Sequence, residues 1–158
     1  MIRYRKMTPG NRADAVGLIE MFLNEDKFLL ECEQVYGHGG ENRVAGAARM
    51  FLENPALGFI WLAYEDAEPA GVCVACLAVS TSLGALVCKM DDVFVKQNFQ
   101  GRGIGSRMVS ELKKELVRMG VGRIDTSYHL ENDGAKRFYE ENGFRRLNEE
   151  RLSCLLMD

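Results

Sequence analysis

Apolar and polar residues along the chain change their period from block to block. IRYRKM (2–7) alternates with period two and predicts a first strand, which Thr8-Pro9-Gly10 ends. From about 13 to 25, Val16, Leu18, Ile19, Phe22 and Leu23 recur at helical spacing. Val44, Ala47, Ala48, Phe51 and Leu52 do the same over about 40 to 53, and Asn54-Pro55 closes that helix. Three strand-like runs follow: FIWLAY (59–64), GVCVACLAV (71–79) and ALVCKMDDVFV (85–95). Their connections, EDAEPA and STSLG, are short, which favours antiparallel neighbours. Ile104, Met108, Leu112, Leu116 and Met119 then share one face of a helix over about 103 to 119, stopped by Gly120-Val121-Gly122. RIDTSY (123–128) reads as a strand. NDGAKRFYEENG (132–143) reads as a short helix, with Asn132 as N-cap and Gly143 as its C-terminal stop. ERLSCLLM (150–157) reads as a final strand. One strand, two helices, three strands and then strand–helix alternation predict a mixed α/β (α+β) sheet covered by helices. No repeat, low-complexity segment or linker divides residues 1–158, so a single domain is expected.

Composition narrows the function classes. With 158 residues, 47% apolar and 27% charged, the chain has the make-up of a globular domain with a real core. Its net charge of −3 gives no case for a nucleic-acid partner. MIRYRKMTPG carries no long apolar stretch, so neither a signal peptide nor a membrane span is expected. Five cysteines (Cys32, Cys73, Cys76, Cys88 and Cys154), an odd number, fit a reducing cytoplasm. Cys73 and Cys76 form a C-x-x-C, but inside a strand they point to opposite faces. Nothing nearby is spaced to complete a metal site, so none is expected.

Three glycines, Gly101, Gly103 and Gly105, open the amphipathic helix in FQGRGIGSRM (99–108). Glycine disfavours helix, and its use at a helix start points to a ligand held against the backbone. The P-loop pattern G-x-x-x-x-G-K-[ST] is absent. A dinucleotide fingerprint fails on Ser106, which stands where the third glycine belongs, and on KQNFQ, which separates the glycines from the strand; Asp125 as the acidic partner does not rescue it. Residues 96–118 hold six Lys/Arg against two Glu, which suits an anion.

QGRGIG, or Gln100-x-x-Gly103-x-Gly105, resembles the acyl-CoA pyrophosphate loop of the GNAT superfamily of N-acetyltransferases. NDGAKRFYEENGF resembles the family's N-x-x-A-x-x-F-Y-x-x-x-G-F segment at Asn132, Ala135, Phe138, Tyr139, Gly143 and Phe144, and DDVFV resembles its central strand. The resemblance is specific over about 85 to 145 and architectural before that. It implies a mostly antiparallel sheet of about six to seven strands with about four helices, and acetyl-CoA as co-substrate. The cofactor would meet Val93, Phe94 and Val95 on the strand. It would meet Gln100, Gly101, Arg102, Gly103, Ile104, Gly105 and Ser106 at the loop, and Asn132, Ala135 and Tyr139 on the last helix.

The same resemblance implies that Val95 N–H polarises the thioester carbonyl and that Tyr139 protonates the departing sulfur. Asp91 and Asp92 are both candidates for the base, and the resemblance puts Asp91 first, since related enzymes often carry an acid at its position. Strict alternation groups Asp91 with Lys89, Val93 and Val95, and Asp92 with Cys88, Met90 and Phe94; a bulge would upset that division. Cys88 as an acyl carrier has no histidine to activate it, and neither His38 nor His129 is assigned a role. Glu20, Glu25, Asp26, Glu31, Glu33 and Glu41 against Lys27 would attract a small cationic amine, although a solvated acidic helix face explains the same residues. Transfer to a protein N-terminus or lysine, and a non-catalytic acyl-CoA-binding regulatory domain, are the alternatives. A homodimer is allowed; membrane and nucleic acid are not expected partners.

Overall fold

The computed structural model describes residues 1–28, 39–40 and 42–157. Strand β1 (Ile2–Lys6) leads into helices α1 (Arg12–Glu25) and α2 (Arg43–Glu53). Strands β2 (Gly58–Glu65), β3 (Glu68–Ser80) and β4 (Ala85–Val95) follow, then helix α3 (Ile104–Arg118), strand β5 (Val121–Asp125) and helix α4 (Asp133–Glu141). The five strands form one sheet in the order β1-β2-β3-β4-β5. The first three pairings are antiparallel, β2–β3 and β3–β4 through the short connections and β1–β2 across the two helices between them, and β4–β5 is parallel, joined through α3.

Each face of the sheet has its own core. Leu18 and Ile19 of α1 and Val44 and Ala48 of α2 pack on Ile60, Leu62, Val72 and Val74. On the other face Ile104, Met108, Leu112 and Leu116 of α3 pack on Trp61, Ala63, Cys73, Ala75, Cys88 and Met90. Strand β2 is covered on both sides, which is why FIWLAY reads as an unbroken apolar run instead of an alternation. The four α3 side chains are buried, at roughly 1.5–3 kcal/mol each relative to exposure. A glycine costs a helix only about 1 kcal/mol, so the apolar face outweighs a glycine-rich start. Two side chains of the sheet also clamp this helix. Trp61 Nε1 donates to Met108 O at 3.2 Å, and the Tyr4 hydroxyl donates to Ile104 O at 3.4 Å.

Two expectations are corrected. The sheet has five strands, not six to seven, because residues 150–157 form none among the described residues. ERLSCLLM alternates but has no β-branched residue, and its apolar side chains find no face to cover: Leu152 is 89% exposed and Leu156 94%. The fifth strand also sits earlier than RIDTSY, at Val121–Asp125, so Thr126 to Tyr128 lie beyond it. Cys73 and Cys76 do face opposite cores, and no metal-binding cluster of His, Cys, Asp or Glu occurs among the described residues. No helix among them is long and apolar enough to cross a membrane.

Candidate active site

The parallel ladder between β4 and β5 runs only from Leu86↔Val121 to Lys89↔Asp125. Beyond Lys89, β4 continues to Val95 paired with β3 on one edge and without β5 on the other. Lys96 N–H donates to Ala70 O, toward β3. Backbone direction alternates along a strand, so the N–H groups of Val95 and Val93 point to the opposite, open edge. The open edge forms one wall of a groove of about 530 Å³, lined there by Val93 and Val95.

The glycine loop forms the second wall. Gly101 and Gly103 have φ of 73° and 74°, the left-handed region where glycine carries no Cβ penalty. Gly103 is the N-cap of α3, so the unpaired N–H groups of the first helical turn, with the helix dipole behind them, face the groove. Gly105 has a different reason to be glycine: a Cβ there would stand 3.3 Å from the Phe138 ring. Its absence lets α4 lie against the start of α3. Gln100 Nε2 donates to Val95 O at 2.8 Å and ties the loop to β4. The third wall is α4, capped by Asn132, whose Oδ1 accepts from Ala135 N at 3.0 Å. Asn132, Ala135 and Tyr139 all line the groove, as do Gln100, Ile104 and Ser106. Phe99, Gly134 and Phe138 line it too and were missed as ligand contacts. Phe138 was legible only as a core anchor, a role it also fills.

Two of the residues expected at the cofactor, Arg102 and Phe94, are not among those that line the groove. Arg102 is paired with Glu65 at the end of β2 and lies over the ring of Phe99, which itself lines the groove. The Phe94 side chain packs on the α1 side of the sheet, 5.8 Å from the Phe22 ring. The cause is a β-bulge: Val74 pairs with Asp91 and Val72 with Phe94, so Asp92 and Val93 together oppose Cys73. Asp92 takes φ of 52°, a left-handed conformation that Asp tolerates better than most residues. The strict-alternation grouping is thereby undone. Asp91 keeps Lys89 as its partner at 2.9 Å, whereas Val93 and Val95 join Met90 and Cys88 on the α3 side.

The two acids now differ. Asp91 is held by a cation. Asp92 is pushed up to about 6, first by burial and then by the negative charge of Asp91. Tyr139 is 8% exposed, and its pKa is raised, chiefly by burial, so it stays a phenol at neutral pH. The charges of Asp91 and Asp92 reach it as well, which puts acid and carboxylates in one field. Cys88 is fully buried and pushed up to about 12, which makes it a poor nucleophile. His129 stacks on Phe28 at 4.9 Å. His38, Cys32, Glu31, Glu33 and Glu41 lie outside the described residues.

The raised Asp92 pKa has a consequence for stability. It lies above the unfolded value, so the folded state binds more protons between about pH 4 and 6, and stability falls as pH rises through that window. Asp92→Asn is expected to raise Tm at pH 7 by roughly 5 °C, equivalent to on the order of 2 kcal/mol. The gain should vanish near pH 4. A lower Tm at pH 7 in thermal melts would mean that the carboxylate is well satisfied as an anion.

Known proteins resemble this chain in sequence and in fold. Residues 56–146 match the acetyltransferase (GNAT) domain family. An L-ornithine N5-acetyltransferase of Arabidopsis thaliana is 30% identical over 69 residues, covering 44% of this chain and 30% of that protein. The chain spans less than half the length of the curated relatives it matches. An integron cassette protein from the mobile metagenome of Cole Harbour Salt Marsh superposes with a TM-score of 0.79 at 24% identity, over 98% of this chain and 91% of its own. Glucosamine-6-phosphate N-acetyltransferase from Arabidopsis thaliana gives a TM-score of 0.70 at 18% identity over 99% of both chains. At these identities the structural likeness speaks for the fold.

Proposed function

Because the chain belongs to the GNAT acetyltransferase family, we propose that residues 1–158 form a single N-acetyltransferase domain that moves an acetyl group from acetyl-CoA to a primary amine. The observation that carries this reading is the groove. One channel joins the amide-rich start of α3, the open edge of β4 and the Tyr139 phenol. The α3 N-terminus suits a pyrophosphate, and the open β4 edge suits an extended amide-bearing arm. When bound, acetyl-CoA supplies the activated thioester.

The chain's own groups supply the rest in a direct transfer. Asp92 takes a proton from the ammonium, directly or through water, freeing the lone pair. The amine nitrogen attacks the thioester carbon, whose oxygen is stabilised by the Val95 N–H on the open edge. The C–N bond forms and the C–S bond breaks, and Tyr139 gives its proton to the leaving sulfur. The acylated nitrogen gives a proton to the Tyr139 phenolate, and Asp92 releases its own to water, which returns both groups to their starting states. Asp92 suits the base role better than Asp91 because burial lifts it toward neutrality, where a base is most effective. Asp91 tunes it from beside Lys89.

The acceptor in this reading is a small cationic amine. The negative charge that Asp26 and Asp91 add around Asp92 supports a cationic acceptor, and the Arabidopsis relative is named for ornithine, itself a cationic amine. A reducing cytoplasm belongs to the same proposal, in keeping with Cys73, Cys76, Cys88 and Cys154 as free thiols.

The pH–rate profile tests the assignment of the base. Wild-type kcat/KM is expected to rise through an acidic limb near pH 6. Asp92→Asn should lose that limb and about a hundredfold of its activity at pH 7, with part returning at higher pH as the amine deprotonates itself. Asp91→Asn should keep the limb but move it to lower pH, since the charge that raises Asp92 is gone. An unmoved limb in Asp92→Asn removes Asp92 from the role.

A further inference from the structure

Strand β5 ends the sheet. Among the described residues it pairs with β4 alone, so the backbone groups along its outer edge have no strand to bond. The other end of the sheet is guarded by charge, since β1 carries Arg3, Arg5 and Lys6. The charges of β5 cancel instead, because Arg123 is paired with its own neighbour Asp125 at 2.9 Å. The same chain also carries a strand-like segment that joins no sheet. ERLSCLLM (150–157) alternates, and in an extended chain Leu152, Cys154 and Leu156 share one side. It belongs to a run of thirteen exposed residues, 145–157, that forms neither helix nor strand. Leu147, Leu152, Leu155, Leu156 and Met157 all stand in solvent. Arg151 Nη1 donates to Ser127 Oγ at 3.0 Å, just past the end of β5. The segment thus begins beside its own chain's open edge and still leaves that edge bare.

We propose that residues 150–157 add as a strand to the β5 edge of a second copy of this chain, and that the second copy returns its own segment, giving a symmetric dimer. The edge lacks a strand and the segment lacks an edge, so each copy holds both halves of the contact. Main-chain bonds along β5 supply the pairing. Leu152, Cys154 and Leu156 extend the apolar surface of Val121 and Ile124, which belong to the core on the α3 side. Exchange about a two-fold axis uses each edge and each segment once, so the contact closes at two copies. The exposed area agrees. One chain exposes 10214 Å², whereas a compact monomer of its mass exposes about 8,000 Å². Residues 145–157 contribute to that excess, which is larger than the roughly 800 Å² each partner gives to a stable interface. A segment that closed its own edge would bury both; here, with Arg151 already at the end of β5, neither is buried.

The experiment measures the mass of the full chain in solution by light scattering over a dilution series, with amide hydrogen exchange at high and low concentration. A dimer is expected, with residues 121–125 and 150–157 both gaining protection as concentration rises. Ser153→Pro removes a backbone N–H and blocks strand pairing. Leu156→Lys puts a charge on the apolar stripe. Each is expected to weaken the dimer about a hundredfold or more. Both positions are exposed in the single chain, so Tm of the diluted variants should match that of diluted wild type. A monomer at every concentration overturns the inference. So does a dimer that both variants leave intact, which uses another surface. Protection of 121–125 that ignores concentration overturns it as well, because the segment then closes the edge of its own chain.

Discussion

Gly103→Asp is expected to weaken acetyl-CoA binding a hundredfold or more while leaving the fold at least as stable. Gly103 sits at the N-cap of α3 with φ of 74° and ψ of 9°. Asp is among the few residues that tolerate this conformation, and it is a preferred N-cap whose charge complements the helix dipole. The nearest atom a Cβ would meet there is Arg107 Nε, at 4.0 Å, so the protein has room for it. The ligand does not. A carboxylate would compete for the N–H groups that face the groove. At about 4 Å from a phosphate charge it would add repulsion of roughly 4 kcal/mol at an effective dielectric near 20. Gly103→Asn has the same shape without the charge and should lose much less. Calorimetric titration with CoA measures the difference, and thermal melts of the apo proteins check the fold. Equal affinity for Asp and Asn would place the pyrophosphate elsewhere.

Tyr139→Phe is expected to lower kcat by roughly ten- to a thousandfold with KM for acetyl-CoA little changed. The ring is held by Phe138 and Phe144, at 5.3 and 5.5 Å, so phenylalanine keeps the packing and only the hydroxyl is lost. Burial raises the tyrosine pKa, so the loss should be uniform across neutral pH and bring no new limb to the rate profile. Steady-state kinetics from pH 6 to 9 measure this. A variant with full turnover would mean that the thiolate leaves unassisted.

Much of this site was legible because its residues are local in sequence. The glycines, the N-cap Asn132 and the Ala135–Tyr139 pair are set by spacings of two to four, and helical geometry carries those spacings directly into space. What stayed hidden depends on partners far along the chain. Period-two reasoning cannot see a bulge, so the pairing of Asp92 and Val93 against Cys73 had no local signal beyond a doubled aspartate. The pairing of Arg102 with Glu65, 37 residues earlier, likewise had no local signal. Thr126 looks like an ordinary strand residue until β5 ends one position before it. The run at 150–157 illustrates the opposite error. Its alternation is compatible with a strand, but alternation alone supplies no neighbouring edge to pair with.

Acetyl transfer to an amine in this groove is the function that every residue role above serves. Its most direct test follows acetyl-CoA carrying a deuterated acetyl group, offered with a panel of small cationic amines and with peptides bearing free N-termini or lysines. Free thiol and labelled product are measured together. Thiol release is expected to depend on the amine, to match the acetylated small amine one to one, and to fall in Tyr139→Phe and Asp92→Asn. Tight binding of acetyl-CoA with no acetylated product from any amine, or thiol release that ignores the amine, would contradict it.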